Sequence, residues 1–538
     1  MTAPSTAPEP APQGLDRAAR LRPIAGAAGI LVASFAASRV LGLIRNAVLA
    51  SYFGDTAAYE AYVAAIAVPD AVFQVLAGGV MGAAFIPVFT RYLARGEEAE
   101  AWRLASAAIT LAALLTASVA AALYVFARPL MGVLVAGRDP AFQELATALV
   151  RIMLVSPVLF AVSGFVTSVL NACQRFFFAA LAPLMYNMGI IAGVVLLHER
   201  YGIYGAALGV AAGAAGHLLI QLPGLLQVRM RYRPTLDWQH AGVREVGQLM
   251  VPRMLGLGVT QLHQLATVFL ASFLAAGSIA YLSYAWMVLM APLGMFSMAV
   301  ATAVFPTLAR QSAANQRAEM HELFSLTLHV ILFLTVPAAV GLIVLGGPIV
   351  RLLFERAAFT PEVTRATALA LACYALGLPG HSMVEILARA FYALRDTLTP
   401  LKTAALAVLL NLALSGLVVA LALGGRVPEA QAYAGLALAN ACAACSEAAL
   451  LLWWLRRRVG QLAVPALARA ILRYASAALL MGGLLGVLSQ QLQEPADTGE
   501  QLIVVSALVL VGALTYLACS LVLRGREPLL LLGLFRSG

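Results

Sequence analysis

The stretch Ala83–Gly96, AAFIPVFTRYLARG, returns later in the chain as Thr302–Ala313, TAVFPTLARQSA. Pro87 pairs with Pro306 and Arg91 with Arg310, at an offset of 310 − 91 = 219. Pro129 and Pro348 keep that offset, Arg175 and Arg395 differ by 220, and Pro157 and Pro379 by 222. A spacing that drifts so little over so long a stretch marks a duplicated unit.

The composition says what the unit is made of. Of 538 residues, 62% are hydrophobic and 11% charged, and the mean hydropathy is +0.88. Windows of about 20 residues run apolar on all sides, as a helix crossing roughly 30 Å of hydrocarbon requires. The expected fold class is therefore an all-α polytopic membrane protein of about 14 transmembrane helices. Residues 1–23 form a cytoplasmic tail, 24–228 a first lobe of six helices, 229–457 a second lobe of six, and 458–538 two further helices and a short tail. Six is even, so both copies enter the membrane in the same orientation. That predicts a parallel repeat, two lobes about an axis along the membrane normal, with a cavity at their interface.

Charge supports this topology. Short connections of even rank carry Arg91, Arg95 and Arg103; Arg175; Arg229, Arg231, Arg233 and Arg244; Arg310 and Arg317; Arg395 and Lys402; and Arg456 to Arg458. Odd-ranked ones read SYFGDTA, LAAGS and the acidic QLQEPADTGEQ. Positive charge is retained on the cytoplasmic side, so the even loops and both termini are expected there. Arg351, Arg356 and Arg365 break the pattern, with Glu355 and Glu362 as the available partners. The start of the chain, Pro/Ala-rich and closing on Arg17, Arg20 and Arg22, reads as an uncleaved tail rather than a signal peptide. The net charge of +10 is a matter of loops and does not call for a nucleic-acid partner. The five cysteines lie in or beside apolar helices. The CAAC pair at Cys442 and Cys445 has no second cysteine pair or histidine cluster, so it reads as helix packing and no metal is expected.

Ionisable groups inside a span cost about 2.5–3.5 kcal/mol on insertion scales, so they normally face a bundle interior or a water-filled cavity. The first lobe holds Arg39, Arg45, Glu60, Asp70 and Arg151; the second holds Arg253, His263, His381, Glu385, Arg389 and Glu447. Arg39 and Arg45 lie about 120° apart on an ideal helix, and both reach one cavity only if the helix bends, at Gly42. His381, Glu385 and Arg389 recur every four residues as one polar stripe, open equally to mutual neutralisation or to ligand contact. His217 and Gln221 are placed to hydrogen-bond a neighbouring helix, and GVAAG at Gly209 to Gly213 is placed for close helix packing.

SRVLGLIRNAVLASYFG, AAFIPVFTRYLARG, APLMYNMGIIAG, LLIQLPGLL, LLFERAAFTPEVT and RAFYALRDTLTPLK resemble, in order and spacing, the MurJ (MviN) lipid II flippases. That family belongs to a superfamily of polysaccharide flippases and multidrug exporters. The resemblance implies fourteen helices, a cationic cavity between two lobes, and a groove from the last two helices for a lipid tail. It implies a lipid-linked diphosphate substrate, lipid II, carried from the cytoplasmic to the outer leaflet of a bacterial inner membrane by alternating access. It also implies support from membrane potential or a monovalent cation, no bound cofactor, contact with membrane lipids, and a place beside peptidoglycan-synthesis proteins.

By that resemblance Ser38, Arg39 and Arg45 match the first-helix motif, and Glu60 fills a usually acidic position. The expected substrate-binding set is Ser38, Arg39, Arg45, Asn46, Glu60, Asp70, Gln74 and Arg253. Asn46 stands where an aspartate is usual, Phe73 and Gln74 replace an arginine pair, Gly78 a glutamate, and Met287 an arginine. Arg253 is the candidate to make up part of that charge. Guanidinium groups suit a diphosphate because they stay charged and offer forked donors. Alternatives are a flippase for another undecaprenyl-diphosphate-linked sugar and a degenerate flippase acting as an envelope-synthesis scaffold. A cation exporter fits poorly with the arginine pair, and a membrane glycosyltransferase lacks its acidic cluster.

Overall fold

The computed structural model describes residues 33–34, 36–76, 80–314, 316–459, 464–492 and 497–523, and every regular element among them is helical. In chain order these are α1 (36–53), α2 (Ala57–Leu76), α3 (Val80–Ala94), α4 (Glu98–Val125), α5 (Ala127–Leu134), α6 (Pro140–Met153), α7 (Val155–Ala172), α8 (Phe176–Tyr201), α9 (Tyr204–Leu219) and α10 (Leu222–Gln227). Then follow α11 (Ala241–Ser272), α12 (Ser278–Pro292), α13 (Ala299–Ala313), α14 (Arg317–Phe354), α15 (Pro361–Ala375), α16 (Leu378–Ala393), α17 (Leu398–Leu423), α18 (Ala432–Val459), α19 (Val464–Gln491) and α20 (Thr498–Val522).

Twelve of these stretches are long and apolar enough to cross a bilayer, and α15 with α16, bent by 44° at their junction, makes a thirteenth. The first expected span, Ile24 to Ala50, lies partly outside the described residues. Proline explains where single expected spans are interrupted. Val363 to Tyr392 breaks ahead of Pro379, Leu145 to Asn171 at Leu154 ahead of Pro157, and Ile279 to Leu308 loosens into a π-turn, Leu293–Met298, after Pro292.

Two segments that the sequence spacing aligns end alike. After α7, Gln174 turns left-handed (φ 58°), and the Arg175 amide donates back to the Leu170 carbonyl at 2.8 Å. After α16, Arg395 does the same (φ 60°), and Asp396 N–H donates to Phe391 O at 2.9 Å. Both closures satisfy helix-terminal carbonyls by the same six-residue loop. Asp396 then starts α17, accepting from the amides of Leu398 (3.1 Å) and Thr399 (3.0 Å) and from the Thr399 hydroxyl (2.6 Å), with Arg458 Nη1 2.6 Å away. Burial raises the Asp396 pKa, and these donors and the guanidinium outweigh it, leaving the carboxyl below its ordinary value.

Two compact units emerge from the packing. One is Met1–Val48, Pro69–Val125 and Arg151–Leu257; the other is Leu49–Val68, Phe126–Val150 and Gly258–Gly538. This grouping differs from the sequence division at 228/229, because the segments around Glu60 and Arg138 pack on α12. The first unit has a core around Phe85, Phe89, Leu104, Phe165 and Leu170. In it α8 and α9 meet backbone to backbone: a Cβ at Gly189, Gly193 or Gly209 would collide with main-chain atoms of the facing helix. The second unit has its core around Phe333, Phe391, Leu451, Tyr474 and Tyr516.

Candidate functional site

On α1, Ser38 is half-buried and Arg39 exposed, and the helix runs unbroken through Gly42. Arg45 is half-buried, and its Nε donates to Asn46 Oδ1 at 3.1 Å. Asn46 is buried. Asp70 and Gln74, one turn apart on α2, are both exposed, and Arg45 lies within electrostatic range of Asp70. Arg45 and Asn46 are bonded to each other in the first unit, and Asp70, Ser38, Arg39, Gln74 and exposed Arg253 belong to the same unit. Among the five N–H donors of a guanidinium, Arg45 uses Nε on Asn46 Oδ1. Phe73, in the place of an expected cation, packs against Phe160 with ring centroids 4.8 Å apart and the rings tilted by 45°. Arg151 turns to Tyr124 instead, donating to its carbonyl at 3.3 Å and lying over its ring.

Glu60 departs from its expected place in this set. It belongs to the second unit, is 1% exposed, and accepts from Arg138 Nη2 at 3.0 Å and from the Ile279 amide at 2.8 Å. The physical reason is local: the first turn of α12 has amides without helical partners, and a carboxylate satisfies one while Arg138 balances its charge. Around the pair, Tyr284 donates to Gly54 O (2.8 Å), Tyr281 to Asp55 Oδ2 (2.6 Å), and Ala358 N–H to Ser51 O (3.0 Å). Gly137 N–H donates to Ser272 Oγ at 3.2 Å, and the Tyr59 and Tyr284 rings stack at 4.8 Å and 2°. The connections after α1, α5, α11 and α14 are thus tied into one closed cluster. Of the basic residues after Val350, Arg351 pairs with Glu355 (3.4 Å) and Arg365 with Glu362 (2.8 Å), while Arg356 donates to the Leu352 and Leu353 carbonyls.

A polar seam runs through the second unit. Asn440 stands between His381 (3.0 Å) and His263 (3.3 Å), and Arg389 pairs with Glu385 at 2.8 Å. In the first unit, Ser163 bonds His217 Nδ1 (2.6 Å) and accepts from Gln221, so those two residues do link neighbouring helices. Among the described residues no group of His, Cys, Asp and Glu is placed to hold a metal ion.

The model of the family described as lipid II flippase MurJ matches residues 49–506. The chain belongs to the MurJ lipid II flippase family. The MurJ relatives include the probable lipid II flippase of Vibrio cholerae serotype O1, 30% identical over 441 residues, which cover 79% of this chain and 81% of that protein. The lipid II flippase MurJ of Burkholderia cenocepacia is 30% identical over 462 residues, covering 83% and 87%. Among solved structures, MurJ in an inward closed conformation superposes with a TM-score of 0.75 at 27% identity, covering 92% of this chain and 98% of that one. A multidrug MATE transporter in an inward-facing conformation shares the fold, at a TM-score of 0.66 and 12% identity.

Reading the sequence missed Arg138, Asn440 and Tyr284. Arg138 did leave a signal: it is an arginine in GRDP, in an odd-ranked loop where the charge pattern disfavours one, so it should have a partner. Asn440 and Tyr284 left none, since a lone amide or phenol in a span is ordinary.

Proposed function

We propose that this protein carries a lipid-linked diphosphate, the lipid II of its family, from the cytoplasmic to the outer leaflet of a bacterial inner membrane by alternating access. Arg45 carries this reading: it sits on α1, the described part of the expected first span, half-buried, bonded to Asn46 and not consumed by Glu60. Arg39, Ser38, Gln74 and Arg253 extend the phosphate-binding face, with Arg253 supplying charge that Phe73 and Met287 do not.

The charge pattern of the loops puts the cluster around Glu60 and Arg138 on the outer side and both termini in the cytoplasm. Membrane potential or a monovalent cation drives the return. Membrane lipids and peptidoglycan-synthesis proteins are the surroundings in which it acts.

Phe73 against Phe160 favours a second reading, an envelope-synthesis scaffold, because a packed aromatic has taken the place of a cation. Reconstitution of the purified protein with fluorescent lipid II separates the two. Outer-leaflet lipid II that accumulates with the wild type and fails with Arg45→Ala supports transport. Correctly inserted wild type that moves no lipid and does not complement a flippase-depleted strain supports the scaffold.

A further inference from the structure

The seam in the second unit is more than a set of paired charges. Asn440 on α18 reaches Nε2 of His381 on α16 with its Oδ1 and Nε2 of His263 on α11 with its Nδ2. An amide has one accepting end and one donating end. In this orientation His381 Nε2–H donates and His263 Nε2 accepts, so the hydrogen of His263 sits on Nδ1, a buried atom with no hydrogen-bond partner among the described residues. Turning the amide over exchanges the two roles. Either way one of the two Nε2 atoms is bare, and a proton added there sets N–H against the amide and breaks that link.

The surroundings favour a proton over other cations. The two imidazoles are joined by an amide, and among the described residues no third His, Cys, Asp or Glu completes a metal-binding group with them. Trp286 of α12 stands edge-on to the His381 ring at 5.6 Å, with Tyr374 of α15 against its other side, and Cys445 of α18 lies beside Gly380. Further along α16, Glu385 pairs with Arg389, which also reaches Thr302 of α13 at 3.4 Å, with Tyr392 and Glu447 of α18 in electrostatic range. His321 of α14 lines a small cavity with Ala390 and Ala393, and the lone charge of α17, Lys402, lies near its start. On α16 Glu385 follows His381 by four residues, one helical turn away.

We propose that His263, Asn440 and His381 form a proton-binding relay. It takes one proton at a time from the aqueous phase, held on one imidazole, and that proton unlinks α11 from α18 or α16 from α18. The relay deepens the transport reading and rests on it for its use. Nine residues beyond His263, about 13.5 Å of helix, α11 ends at Ser272, whose hydroxyl accepts from Gly137, and the Ala275 carbonyl that follows accepts from Arg138 at 3.4 Å. A change in the tether of α11 is therefore delivered to the loop that closes over Glu60.

Trp286 makes the relay observable without any transport assay, because an imidazolium against an indole quenches its fluorescence by accepting the excited electron. In the purified full-length protein, emission is followed from pH ~8 to ~4, bracketing the ordinary imidazole value near 6.5. The expected result is a quench that disappears in Trp286→Phe and His381→Gln and moves to a different pH in His263→Gln and Asn440→Leu. The same pH response in the wild type and Trp286→Phe, or a midpoint unmoved by His263→Gln, overturns the relay. In liposomes containing lipid II, with membrane potential clamped at zero, a pH gradient should speed wild-type movement several-fold, and that ratio should fall to one in His263→Gln. Movement that ignores the gradient in the wild type overturns coupling. A wild type that moves no lipid at all overturns the transport reading, and the fluorescence arm still decides the relay.

Discussion

Arg138 Nη2 stands 3.0 Å from Glu60 Oε2, with the two side chains 12% and 1% exposed, and the Ile279 amide donates to the same carboxylate at 2.8 Å. Glu60 thereby joins the second helix both to the loop after α5 and to the start of α12.

Breaking one side of such a pair leaves an uncompensated charge away from water, at a cost of about 3–5 kcal/mol, whereas removing both charges costs less. Arg138→Ala should therefore lower thermal stability in detergent more than the double variant Glu60→Gln/Arg138→Gln. It should also raise the reactivity of a cysteine placed at Ala275 toward a membrane-impermeant thiol reagent added from outside. A double variant less stable than Arg138→Ala would show that the pair is not held as described.

Arg45 and Arg253 are expected to differ in weight. Arg45→Ala should reduce lipid II movement in reconstituted vesicles at least about tenfold, the equivalent of ~1.4 kcal/mol. Arg45→Lys should keep part of it, because an ammonium is a point charge without the forked donors. Arg253→Ala should reduce movement by a smaller factor. Full activity in Arg253→Ala beside loss in Arg45→Ala would remove Arg253 from the phosphate-binding set.

The α8–α9 contact sets a packing test. Gly193→Val and Gly209→Val push a side chain into the opposing backbone and should each cost about 1–3 kcal/mol or more, read as a lower melting temperature. Gly247→Ala on α11, where a Cβ meets nothing within 4 Å, should be neutral or stabilise by roughly 0.5–1 kcal/mol. Equal losses at all three would argue against close contact.

Asp396 should carry a pH dependence of known sign. Its folded-state pKa is depressed, so its stabilising effect is present above the unfolded carboxylate value, near ~3.9, and is lost as pH falls through the folded value. Asp396→Asn should lower the melting temperature at neutral pH, and the gap to wild type should narrow below pH ~4. A gap that stays constant into that acid range would mean the charge of Asp396 is not what stabilises the start of α17.

Much of this was legible in the chain itself. The doubled proline and arginine spacing led to segments that end in the same left-handed turn, at Gln174 and at Arg395. Gly209 and Gly213 were readable as close packing because only small residues allow backbones to touch. Glu60 was misplaced because an acidic residue in a span looks the same whether it faces a cavity or a partner. Its partner lies 78 residues away, at the foot of another helix.

From sequence alone came the membrane-crossing helices, the side on which each loop should lie, and the inventory of groups that hydrocarbon would reject. Those are properties of short windows, because transfer from water to lipid is close to additive along a helix. Tertiary structure decided which rejected groups meet: Glu60 with Arg138, and His263 with Asn440 across 177 residues. A buried polar atom is satisfied only by the side chain or backbone atom that packing brings within about 3 Å, and no local window contains that neighbour.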